Sequence, residues 1–140
     1  MEAIQDITLE NWLSELKAYQ RNSIVTLIDE YGEENAVEKW LSANGPKDNV
    51  PFGGLQSTDT KPFLDKFKTE FKKFVCNHPD YDEERKKLNM ESPVVKAIWI
   101  SVISAALGAT LGFAATLLAP VVAVMLSLVG KMGLNAYCAN

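Results

Sequence analysis

Residues 97–130 read AIWISVISAALGATLGFAATLLAPVVAVMLSLVG, thirty-four consecutive positions without a charge, held between Lys96 and Lys131. A run of at least about 18 apolar residues with few charges is long enough to cross a bilayer as a helix. Every acidic residue and all but one basic residue of the 140-residue chain lie before this run. The pattern predicts an all-α protein in two parts. Residues 1–92 form a small amphipathic helical N-terminal domain. Residues 93–140 form a hydrophobic, transmembrane-type helical hairpin or kinked helix.

Ser92-Pro93 reads as a helix start, with a cap followed by proline at the first helical position. Ala97–Leu118 then offers 22 residues, about 33 Å of helix against a bilayer core of about 30 Å. Pro120 is the expected helix break. Val121 to Tyr137 forms a second piece, interrupted by Lys131. A turn at Leu117–Val122 would contain neither a polar residue nor glycine, which is poor turn chemistry for a tip reaching water. Three arrangements follow: a re-entrant hairpin with a buried tip, one kinked helix, or a soluble protein that keeps the hairpin as core or as cargo held out of lipid.

Within the run, Ser104, Gly108, Gly112 and Thr116 recur at four-residue spacing. On one continuous helix they would make a ridge of small residues. Such ridges let helix backbones approach closely in lipid, where no hydrophobic effect drives association. The expectation is a helix-packing or oligomerisation interface. Trp99 and Tyr137, flanked by Lys96 and Lys131, fit an aromatic and basic membrane-interface belt if the segment folds back. Arg85, Lys86 and Lys87 add a basic cluster before the run, balanced by Asp82, Glu83 and Glu84. Cys138 is an acylation candidate beside a membrane.

The chain before the run carries helix punctuation. Thr8 caps a helix over residues 9–31, with a break near Asn22-Ser23 and a stop at Gly32. A second helix spans about Glu33 to Ala43, with Val37, Trp40 and Leu41 on its face. Residues 44–61 show no helical period and form a long loop, in which Pro51, Phe52, Gly53 and Gly54 are a candidate partner loop. A third helix starts after Thr60 and carries Phe63, Leu64, Phe67, Phe71, Phe74 and Val75 on one face, ending at Asn77-His78-Pro79. Tyr81 to Met90 reads as a fourth, charged helix.

Charge narrows the function classes. Residues 1–45 hold nine acids and three bases, and residues 46–96 hold nine acids and ten bases. An acidic N-terminal half disfavours nucleic acid, whose phosphates need a basic surface. Met1–Glu10 has three acids, no base and no apolar core, unlike a signal peptide. Cys76 and Cys138 suggest no disulfide framework, so a reducing compartment is the default. His78 is the only histidine: Cys76-x-His78 lacks the other ligands of a zinc site, and no serine carries a nucleophile motif for a Ser-His-Asp triad, so helix-end punctuation is the expected role. No phosphate loop, cofactor motif or catalytic set is present, and the expectation is a non-enzyme.

The sequence thus points to a small protein of the inner or plasma membrane with its N-terminal domain cytoplasmic. Its expected partners are the lipid bilayer, further copies of itself and a protein at the head. A pore-forming or depolarising toxin or defence effector is the concrete version. The competing expectation is a soluble adaptor or immunity-type protein that buries the hairpin in its core or in an oligomer.

Overall fold

The computed structural model describes residues 7–44, 61–88 and 96–139. The candidate partner loop Pro51–Gly54, the Thr60 cap and the Ser92-Pro93 start lie outside the described residues. Among those described, the protein is all-helical. Its helices are α1 (Leu9–Leu13), α2 (Ala18–Tyr31), α3 (Glu33–Asn44), α4 (Lys61–Val75), α5 (Asp82–Lys86), α6 (Lys96–Leu111), α7 (Ala115–Met132) and α8 (Leu134–Ala139). A 3-10 turn, Pro79–Tyr81, precedes α5.

The ends follow local chemistry. Thr8 Oγ1 accepts the Asn11 N–H at 3.2 Å and caps α1. The expected helix over 9–31 is divided in two, and the break falls at residues 14–17 rather than near Asn22-Ser23. Ser14 Oγ turns back to donate to Asn11 O at 2.7 Å, a local bond that competes with continuing the helix. α2 restarts with the Gln20 side-chain oxygen accepting the Lys17 N–H at 3.3 Å. Gly32, at φ +86°, ends it and donates to Ile28 O at 2.8 Å.

α4 buries Leu64, Phe67, Phe71, Phe74 and Val75, as its periodicity predicts. Its last turn is closed by Arg85, which is 6% exposed. The guanidinium donates to Phe74 O at 2.7 Å and Lys73 O at 3.3 Å, and also to His78 O and the Asp82 carboxylate. The expected basic cluster is therefore divided: Arg85 points inward, while Lys86 and Lys87 stay exposed. The expected helix over 81–90 is also shorter, because the Arg85 contacts fold the chain against the end of α4. His78 Nδ1 accepts the Asp80 N–H at 3.1 Å, a helix-end role.

The hairpin turns elsewhere than expected. α6 stops at Leu111, and Gly112 adopts φ +73°. The Phe113 N–H then reaches back to Gly108 O at 2.9 Å. This is a Schellman closure, with glycine in the left-handed position and an apolar residue after it. The tip is Gly112-Phe113-Ala114, so the polar-free stretch Leu117–Val122 is not a turn at all. It lies within α7, and Pro120 sits inside that helix rather than breaking it. Gly133, at φ +93°, separates α7 from α8.

α7 is apolar on every side and occupies the centre of the packing. It packs against α6, α1, α3 and α2, with α8 folded back over its end. Leu118, Val121, Val122, Ala123, Val124 and Leu126 are fully buried. The same core includes Trp12, Ile24, Val37, Leu41, Phe67, Ile103 and Leu107. Residues from both sides of the expected boundary at 92/93 thus share one core.

Candidate functional site: the apolar hairpin and its dock

The small-residue positions do not form a continuous ridge. Ser104 and Gly108 are buried in α6, Gly112 is the turn, and Thr116 is exposed in the first turn of α7. Spacing of four implies a common face only along one helix, and the helix ends before Gly112. Close approach is nonetheless real at Gly108. A Cβ there would sit 2.5 Å from Phe113 O, so glycine is what lets the chain reverse against its own helix.

The interface residues separate as well. Trp99 is 2% exposed and part of the core, not of a surface belt, because α6 packs that turn inward. Lys96 pairs with Glu15 at 3.8 Å. Lys131 Nζ lies 2.8 Å from both carboxylate oxygens of Glu33. Tyr137 is half-buried, edge-on to Phe71 at 6.4 Å, with Lys72 Nζ 5.7 Å from its ring centre. Burial pushes its phenol up to about 12.

The two cysteines form a disulfide, Cys76–Cys138, with Cα atoms 5.7 Å apart across a separation of 62 residues. This overturns the expectation of two unrelated thiols. Gly133 turns α8 back onto α4, and the last turn of α8 meets the residue after α4. The covalent loop encloses α5, α6 and α7. Tyr81 joins the last turn of α6 to α4. Its hydroxyl donates to Glu70 Oε1 at 2.6 Å, and its oxygen lies 3.0 Å from Thr110 Oγ1. Burial is the main reason that this phenol ionises well above the ordinary range.

The dock itself is made of residues no motif identified. Gln20 and Trp40, 4% and 6% exposed, reach from α2 and α3 to the backbone of α7. The Gln20 amide donates to Thr116 O at 2.6 Å, and the Trp40 indole donates to Leu117 O at 2.7 Å. Two hydroxyls in the hairpin, Ser104 Oγ and Ser127 Oγ, are buried without a hydrogen-bond partner among the described residues, as is Trp12 Nε1.

Along its outer side the hairpin meets solvent without a charge. Ala97, Ile98, Ser101, Ala105 and Ala109 are all exposed. α7 is long and apolar enough to cross a membrane, and 61% of it is buried inside the protein. Comparison of the chain with protein-family models, curated proteins and solved structures finds no match.

Proposed function

We propose that the protein is membrane-active and that this fold is its closed form, in which charged amphipathic helices sheath an apolar hairpin. The observation that carries this reading is α7. It is an 18-residue helix with no charge before Lys131, about 27 Å long against a bilayer core of about 30 Å. Its burial depends on α1, α2, α3 and α6 lying against it. The Ser104 and Ser127 hydroxyls, without a partner among the described residues, support the same reading. Each costs about 1–3 kcal/mol in this packing, and each could find a partner across helices in a lipid-embedded assembly. The charge-free outer strip of α6 is the surface from which contact with lipid or a second copy would begin. On this reading assembly of several hairpins would permeabilise or depolarise the membrane.

The test is flotation of the full-length chain with phosphatidylcholine–phosphatidylglycerol vesicles, before and after disulfide reduction, together with dye leakage. Reduced protein rising with the vesicles and releasing dye supports the proposal. A second reading, a soluble adaptor with α7 as an ordinary core helix, is favoured by the 61% burial of that helix. Protein that stays in the aqueous fraction in both redox states would establish that reading instead.

A further inference from the structure

Proline has no N–H, so Pro120 leaves one rung of the α7 ladder empty. The carbonyl that loses its partner is four residues earlier, at Thr116. That carbonyl is the one that accepts from Gln20 Nε2 at 2.6 Å, and its neighbour Leu117 O accepts from Trp40 Nε1 at 2.7 Å. Gln20 is held at both ends of its amide, since its oxygen accepts the Lys17 N–H at the start of α2. This fixes which end faces α7. Clefts open on both sides of the contact, and Gln20 lines each of them. The two hydrogen bonds therefore bridge an otherwise incomplete seam.

We propose that Pro120 is a latch position: its missing N–H creates the acceptor through which Gln20, with Trp40 beside it, holds α7 closed. Breaking this contact is the step that frees the hairpin. The second statement rests on the membrane reading; the first does not.

The latch is tested by a double-mutant cycle on the full-length chain, with Gln20→Leu and Pro120→Ala followed by denaturant unfolding. With Pro120 present, Gln20→Leu strands a carbonyl and should lower the folding equilibrium constant about tenfold. In the Pro120→Ala background, the restored N–H satisfies Thr116 O, and the same substitution should cost about two- to threefold. Loss of the Lys17 cap occurs in both backgrounds and cancels. If Gln20→Leu does not fold, Gln20→Asn serves the same cycle, being one methylene too short to reach. Equal costs in the two backgrounds would overturn the latch.

Vesicle flotation of Gln20→Leu and Trp40→Phe then tests what the latch gates. Partitioning raised about tenfold over the parent is expected. Coupling in solution with unchanged partitioning would overturn the gating step while leaving the latch. Failure of the membrane reading itself shows separately, as reduced parent protein that never floats.

Discussion

Cutting the Cys76–Cys138 bond should be the largest single perturbation that leaves the core's side chains in place. The bond closes a loop spanning 62 residues and containing both hairpin helices. A cross-link of that span removes enough unfolded-chain entropy to stabilise the fold by about 4 kcal/mol. With a urea m-value of about 2 kcal/mol/M, reduction should lower the unfolding midpoint by about 2 M. The assay is urea unfolding of oxidised protein, of protein kept in excess dithiol reductant, and of Cys76→Ser with Cys138→Ser. The reduced protein and the double variant should coincide, both well below the oxidised protein. Thiol titration of the native oxidised chain should find no free cysteine. Coincident midpoints for all three, or two titratable thiols in the untreated native protein, would mean that the cross-link does not hold this fold.

Other perturbations follow from the same contacts. Gly108→Ala pushes a methyl group against Phe113 O and should destabilise by about 1–3 kcal/mol in thermal unfolding. Gly112→Ala meets open space and carries only the strain of φ +73°, so about 1–2 kcal/mol is expected in the same measurement. Arg85→Met leaves the end of α4 without its buried donors and should cost about 3 kcal/mol by denaturant unfolding. Tyr137, with its phenol raised to about 12, favours the folded state while neutral. Its contribution is complete below the unfolded value near pH 10 and is lost as pH climbs through 12, which a tyrosinate absorbance titration beside alkaline unfolding will follow.

The parts legible in the sequence are those set by local chemistry. Thr8, Gly32 and the phenylalanine face of α4 act as their spacing predicts, because caps and amphipathic faces depend on residues a few positions apart. The turn at Gly112 is also local, a glycine followed by Phe113. Four-residue spacing to Gly108 makes it read as a packing ridge, although the same residue can cap a helix instead. Pro120 carries its usual meaning of a break, yet the cost of an interior proline falls when another helix satisfies the freed carbonyl. That donor is Gln20, 96 residues from Thr116, and no local pattern connects the two. The disulfide is hidden for the same reason: pairing depends on Gly133 folding α8 back onto α4. Arg85 looks like a surface charge because its partners are mostly backbone carbonyls, which leave no mark in the sequence.

On the proposed function, α7 exchanges its helical sheath for lipid. Amide hydrogen exchange on the reduced 140-residue chain, with and without phosphatidylcholine–phosphatidylglycerol vesicles, follows that exchange helix by helix. In buffer, α2, α3 and α7 should be protected together as parts of one core. With vesicles, α7 should stay protected while α2 and α3 lose protection, because a helix in lipid keeps its ladder and the helices that left it do not. Identical protection of all three helices with and without vesicles at saturating lipid would mean that α7 stays in its sheath.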